Sequence, residues 1–275
     1  MIYRKVSSMI DDLFRQIRDQ DRARWEEEDA TLAINRVLDT WSDRVYVDYA
    51  YTISGGLVAE TYAYTLPDYI PPQLVRPQWQ DTNGVWWDVA GYEIVDGQSF
   101  VLSSYMPVNV AARVLWYGPQ GRVPADGQTL NAGITSSDTS LVLADVPDIG
   151  SAGFVDIGGE IIGYTGYTKT SSLTTLTNLV RGVGGTTAAS HSSGDSVDWC
   201  IAAPTAELYN VLMDLSIAYM HIYRMVDSPT QETQHHNFMM RWSQDRADRY
   251  WSSYAPLNRA QRMQIGIHHM ELIGQ

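Results

Sequence analysis

The chain reads as an α+β protein in which N- and C-terminal helices form one helical bundle around a β-rich middle. Three observations predict this. Apolar residues recur at helical spacing over residues 1–43 and again over 203–255. Residues 44–120 are rich in β-branched and aromatic side chains. Over 152–197, glycines cut short apolar bursts before any could become a helix: Phe154, Val155 and Ile157, then Ile161, Ile162 and Tyr164, then Leu176, Leu179 and Val180. The expected division is a bundle core from 1–43 and 203–255, an extended arm and β-strand region over 44–120, an inserted small all-β barrel or sandwich over 121–202, and a C-terminal docking tail over 256–275.

In chain order, Val6, Ile10, Leu13 and Ile17 follow helical spacing, while Asp11, Asp12, Arg15, Gln16, Arg18 and Asp19 take the other face. The first element is thus an amphipathic helix. A charged joint, DQDRARWEEED, leads to a second helix with Asp29 as its N-cap and Leu32, Val37, Leu38 and Trp41 turned to the core. VYVDYAYTI and ARVLWYG read as strands. Between them Pro67, Pro71, Pro72 and Pro77 are too dense for a central strand or a helix and predict an extended arm or edge segment. Further strands are expected around 85–89, 91–95 and 99–103. Trp79, Trp86 and Trp87 form either core packing or an exposed contact patch, and packing is favoured because buried aromatics are the usual case.

GPQGRVPAD at 118–126 is a turn-rich hinge, and TSLVLADV, GFVDIGG, EIIGYTGY, LTNLVRGVGG and SGDSVDW supply the five or six short strands of the inserted module. Helix resumes at Pro204, whose fixed φ suits a first turn. Leu208, Val211, Leu212, Leu215, Tyr219 and Ile222 then share one stripe. DSPT at 227–230 breaks this helix. A last one, from Thr230 to about Tyr254, should turn Phe238, Met239, Trp242 and Tyr250 inward and Asp245, Arg246, Asp248 and Arg249 outward. Ile265, Ile267 and Met270 keep the tail apolar enough to dock on its own subunit or a neighbour.

Composition narrows the function classes. With 275 residues, 44% of them hydrophobic, the chain has material for a sizeable core. It contains no apolar run of the roughly 18 residues that a membrane span needs, and MIYRKVSSMIDDLFRQIRDQ is too polar for a secretory leader. A soluble protein made inside the cell is expected. The single cysteine, Cys200, excludes an internal disulfide and a thiolate metal cluster and reads as a small buried hydrophobe. A balance of 19 basic against 32 acidic residues, net −13, argues against nucleic-acid binding through a broad basic face. Such charge would let a duplex slide through an acidic pore, although a solubilising surface is the simpler reading.

The chemical motifs are weak. Gly194-Asp195-Ser196 resembles a serine-hydrolase fragment and His191 lies near it, but a triad also needs a buried carboxylate orienting the histidine and an oxyanion hole. A turn leading into a strand is the better reading of Ser196. RGVGGTTA at 181–188 lacks the lysine of a phosphate-binding loop and opens no helix. His235 with His236 and His268 with His269 are adjacent, so on a helix they diverge by about 100°. Glu232 with His236 and His268 with Glu271 do share a face, yet two ligands fall short of the three a zinc site takes. All six histidines are assigned structural or surface roles, and Glu160 a solvent-facing edge position. No catalytic residue, cofactor or metal ligand is expected, and the chain is not read as an enzyme.

The segment DDLFRQIRDQDRARWEEEDATLAINRVLDTW resembles the opening of head-to-tail adaptor (connector) proteins of tailed bacteriophages. The matching residues are Ile17-Arg18, the joint Arg24-Trp25, and Ile34-Asn35 in the second helix. The segment from Pro204 to Tyr250 is similar to that family's closing helix pair. TLPDYIPP and the Gly153–Val197 module also resemble adaptor-like virion proteins, in which a Gly-Glu-Ile-Ile-Gly-Tyr strand precedes Arg-Gly, Gly-Thr and His-Ser-Ser-Gly. The smallest family members lack this module.

The resemblance implies a structural virion protein at the neck between head and tail: a homo-oligomeric ring, a dodecamer, bound to the portal protein and to tail or neck proteins. DNA would pass through its channel without sequence-specific binding, and no membrane is involved. The first helix and the 204–225 helix would pack the ring, the 67–77 arm would reach a neighbour, and 257–275 would dock on the portal or tail. Two alternatives stand beside it. One is a tail or baseplate component binding a partner or glycan through Trp79, Trp86 and Trp87. The other is a hydrolase using Ser196 or a histidine-bound metal.

Overall fold

A computed structural model describes residues 1–19, 21–22, 24–41, 45, 47–66, 75–95, 99–118, 120–124, 127–146, 149–225 and 233–250. The chain opens with strand β1 (Ile2–Lys5) and helices α1 (Val6–Gln16) and α2 (Glu27–Trp41). Strands β2 (Val47–Thr52), β3 (Ala63–Thr65), β4 (Val75–Gln80), β5 (Trp86–Asp88), β6 (Tyr92–Val95), β7 (Ser99–Leu102) and β8 (Ala112–Gly118) follow. Next come β9 (Gln128–Thr129), β10 (Ser140–Ala144), β11 (Gly153–Ile157), β12 (Glu160–Tyr164), β13 (Tyr167–Lys169), β14 (Leu173–Thr177) and β15 (Ser196–Ala203). Helix α3 (Ala206–Met225) and helix α4, described over 233–250, complete the mixed α+β fold.

The sheet ordered β1-β15-β11-β12 is antiparallel throughout and holds the molecule together. Strand alternation points successive side chains to opposite faces, and here both faces are buried. Val155, Ile157, Val197, Trp199 and Ile201 join the core shared with α1, α2 and α3. Phe154, Cys200 and Ala202 join a second core with the sheet β2-β8-β4-β5, where Tyr49 stacks on Phe154 at 5.3 Å and on Trp116 at 4.6 Å. The three-stranded sheet β3-β7-β6 shares that second core through Phe100 and Leu102.

β1 was not visible in the sequence. It pairs Ile2 with Ala203 and Lys5 with Cys200, so the first residues and the strand leading into α3 lie side by side. Lys5 Nζ reaches Asp198 at 2.8 Å and Asp156 at 3.0 Å, tying three strands together.

The inserted strands close on themselves. β9 pairs with β15, β15 with β11, β11 with β12; Gly163 of β12 exchanges backbone hydrogen bonds with Val180 beyond β14, and β14 pairs with β10. Leu130 bridges to Leu143 of β10 and completes the circuit of a small barrel.

Several local expectations need correction. α2 starts at Glu27, so Asp29 is not the N-cap; from the first turn its Oδ2 accepts the Glu26 N–H at 3.0 Å. Leu32 is 53% exposed instead of buried, because the buried stripe runs through Ala30, Ala33, Ile34, Val37 and Leu38. Pro77 lies in β4, an interior strand between β8 and β5. A proline is tolerated there because β5 has nearly ended: Pro77 O accepts the Val89 N–H at 2.9 Å, and the return bond, which proline could not make, falls past β5. On α4, Ser243 and Ala247 are buried and Tyr250 is partly buried against the core, whereas Phe238 and Trp242 are 64% and 40% exposed. The inward face carries Ser243 and Ala247 together with His236 and Arg246, which reach His221 and Asp214 of α3. Pro67, Pro71 and Pro72, the inward placement of Trp41, Glu232 and the tail over 251–275 lie outside the described residues and side chains.

Deleting Met1–Lys5 should remove the β1 ladder and the lysine between Asp156 and Asp198, costing about 3 kcal/mol and lowering Tm by roughly 6–10 °C. Calorimetry of the truncated chain checks this; an unchanged Tm would show that β1 adds nothing.

Candidate functional site

The residues with the most chemistry fall into two buried polar clusters, and several large apolar side chains stay exposed. The first cluster caps one end of the barrel. Glu160, Ile162 and Tyr164 share a strand face, and Val155 and Ile157 lie opposite them, so the Glu160 carboxylate follows the apolar side chains inward. It is 3% exposed, not the solvent-facing edge residue expected from sequence. Five groups converge on it. Arg181 donates Nε to Oε1 and Nη2 to Oε2, both at 2.8 Å; the Gly182 and Ala189 N–H groups donate at 3.1 Å; and His191 Nε2 lies 2.8 Å from Oε2.

Arg181 also donates to the carbonyls of Ala189, at 2.7 Å, and of Thr135. Thr186 accepts the Ile161 N–H at 3.0 Å and donates to Val183 O at 2.9 Å. Gly182 turns the chain at φ +65°, where an added Cβ would meet Thr186 O at 2.8 Å. The GEIIGY, RG, GT and HSSG pieces are thus one knot. Burial alone would raise the Glu160 pKa, but Arg181, His191 and the Ala189 N–H outweigh it and hold the carboxyl at about 2.

His191 is engaged by that carboxylate through Nε2, and its Nδ1 lies 4.0 Å from Asp195. Ser196 is exposed at the start of β15, opposite Thr129. The two residues therefore sit in the same region, but His191 is oriented toward Glu160.

The second cluster joins α3, α4 and the α1–α2 joint. His221 is 4% exposed and its Nδ1 lies 2.9 Å from Nδ1 of His236, with His235 close by and the Trp25 ring edge-on to His221 at 5.7 Å and to His236 at 6.3 Å. Trp25 is positioned by Asp19, whose buried Oδ2 accepts the N–H groups of Arg24 and Trp25 at 3.0 Å. Farther along the same helix pair, buried Asp214 meets Arg246 Nε at 3.2 Å, and that guanidinium lies 4.5 Å from the centre of the Trp242 ring. Burial, then the neighbouring His236 and His235, push the His221 pKa down to about 4. Asn35 completes the helical framework: it accepts the Val123 N–H at 2.9 Å and donates to Val123 O at 2.8 Å.

Cys200 is buried, as expected of a small hydrophobe, and burial pushes its thiol up to about 12. The tryptophan trio is split between settings. Trp79 is partly buried in the second core; Trp86 lies under the Arg113 guanidinium at 4.2 Å; Trp87 is exposed, with its indole N–H donated to Asp81 at 3.0 Å. Among the described residues, no group of three or more histidines, cysteines or carboxylates is placed to hold a metal, and no helix is long and apolar enough to cross a membrane. In comparison with known proteins, the chain matches no family model, no curated protein and no solved structure.

Sequence reasoning missed the Glu160–Arg181–His191 knot and the His221–His236 pair. The usable signal for the first was a lone carboxylate in an apolar strand followed by a lone arginine in an apolar burst. Nothing in the spacing announced the second, which joins residues from two helices.

Glu160→Gln should cost about 3 kcal/mol by leaving Arg181 buried without its counter-charge. Chemical denaturation measures this, and a loss below about 0.5 kcal/mol would contradict the knot. Because the folded-state carboxyl is held low, its stabilisation is full above about 4.5 and disappears as pH falls toward 2.

The His221 contribution has another window. A histidine kept neutral when folded stabilises above its unfolded value of 6.5 and loses that contribution as pH falls toward 4. Wild-type Tm should therefore fall more between pH 7.5 and 5 than that of His221→Gln; equal slopes would contradict this.

Proposed function

We propose that this chain is a structural virion protein, a head-to-tail adaptor that forms a homo-oligomeric ring, a dodecamer, between the portal and the tail of a bacteriophage. The observation that carries the reading is the fate of the residues behind the adaptor resemblance. Trp25 packs against the α3–α4 pair, Asn35 ties α2 to Val123, and Glu160, Arg181 and His191 knot the barrel. Each supports a rigid scaffold, while large apolar side chains such as Phe238 and Trp242 stand outside it. A body of this kind works through its surfaces.

Twelve copies at −13 each sum to about −156, a field that would repel DNA from a channel wall. In this reading the protein contacts the portal and the tail or neck proteins, and DNA passes without sequence-specific contacts. A second reading, a tail or baseplate component that binds a glycan, draws support from Trp87, an exposed ring held in place by Asp81.

A nonsense codon early in the gene tests the proposal in the virus that encodes it. The adaptor reading expects DNA-filled heads and separate tails in the lysate, with this chain at the neck of wild-type particles by immunogold labelling. Tailed particles lacking only adsorption would favour the glycan-binding reading and overturn the adaptor.

A further inference from the structure

Two loops, 54–62 and 103–110, meet at one end of the β2–β8 pair and carry a concentrated exposed apolar patch. Val58, Tyr62, Tyr105 and Val108 are 42, 45, 43 and 60% exposed. The Tyr62 and Tyr105 rings meet edge to face at 5.5 Å. The patch is built on fixed backbone: Leu57 and Val110 exchange hydrogen bonds of 2.9 and 3.0 Å, Asn109 Oδ1 accepts the Ala59 N–H at 2.8 Å, and the Tyr64 hydroxyl accepts the Val58 N–H at 2.9 Å. Gly56 sits so close to Val110 O that a Cβ there would lie 2.0 Å from it. Such loops lose little freedom on binding, and tyrosine adds contact area at low entropic cost.

The charge pattern selects the occupant. Glu60 is the sole charged residue over 53–64 and 103–112, in a chain of net charge −13. Two copies of this chain repel over most of their surface, so they approach most easily where that charge is missing. We propose that the Val58–Tyr62–Tyr105–Val108 tip is a self-association surface that docks on a second copy of this chain. The contact is apolar, so salt strengthens it by screening the surrounding repulsion, the reverse of an ion-paired interface. Four half-exposed side chains offer a few hundred Å², below the roughly 800 Å² per partner of stable pairs, so the contact is weak between free copies and gains strength from repetition in a larger assembly. This inference rests on the ring reading only for its biological use; the contact itself is a property of the isolated chain.

Sedimentation equilibrium on the full-length protein, from about 1 μM to 1 mM at low and at 0.5 M salt, tests it. The expected result is a weight-average mass that rises with concentration and rises further in high salt. In Tyr62→Asp/Val108→Asp the apparent dissociation constant should weaken at least tenfold, whereas Trp87→Ser should match wild type. Circular dichroism confirms the folding of each variant, and Tyr105→Asp alone serves if the double variant does not fold.

A mass that stays monomeric throughout would overturn the proposal. So would association that the tip variants leave unchanged, or that salt weakens. Constant monomer mass with tip-dependent binding to phosphatidylcholine vesicles would replace the second copy with a lipid surface. A wild-type mass that stays monomeric while the chain is still found at the neck of particles would overturn this contact and leave the adaptor reading standing.

Discussion

The fold depends on burying both faces of one short strand. β15 is hydrogen-bonded on one side to β11 and on the other to β9 and then β1, and its alternate side chains enter two different cores. Val197, Trp199 and Ile201 belong with the helices and the barrel, while Cys200 and Ala202 belong with the β2–β8 sheet. A strand committed on both edges and both faces cannot shift register by one residue without exchanging the two sets of side chains. Here that would place Trp199 where Ala202 and Cys200 now allow close packing.

This constraint ties the ends of the chain to its middle. β1 runs straight into α1 and β15 leads to α3, so the helical layer grows out of the same sheet that closes the barrel. The barrel is therefore built into the scaffold. Its far end is held by the Glu160 knot, in which one buried carboxylate satisfies an arginine, a histidine and two backbone N–H groups. Removing the carboxylate would leave all of these partners short of a bond at once, so the group acts as a unit.

The helices were legible because their apolar spacing is strong: Val6, Ile10 and Leu13 in α1, and Leu208, Val211 and Leu212 in α3, are buried as their periodicity implies. The strands of the module were legible from their glycine boundaries. β1 was not, since Ile-Tyr-Arg-Lys has no alternation to read and gains its structure only from β15. Glu160 was placed on the wrong face because strand parity becomes informative only when a partner strand fixes the inside. On α4, aromatic size suggested an inward Phe238 and Trp242, but the polar contacts to α3, His236 with His221 and Arg246 with Asp214, set the rotation of the helix. The buried clusters depend on long-range pairing and so left little trace in local sequence.

The helical layer, the barrel and the β2–β8 sheet should behave as one cooperative body, because all three are joined through β15. Native-state hydrogen exchange in increasing denaturant measures this most directly. The slowest amides of α3, of β11 and of β8 should converge on a single global unfolding free energy. Finding that β8 or the barrel strands open at a free energy several kcal/mol below that of α3, while α3 stays protected, would contradict it.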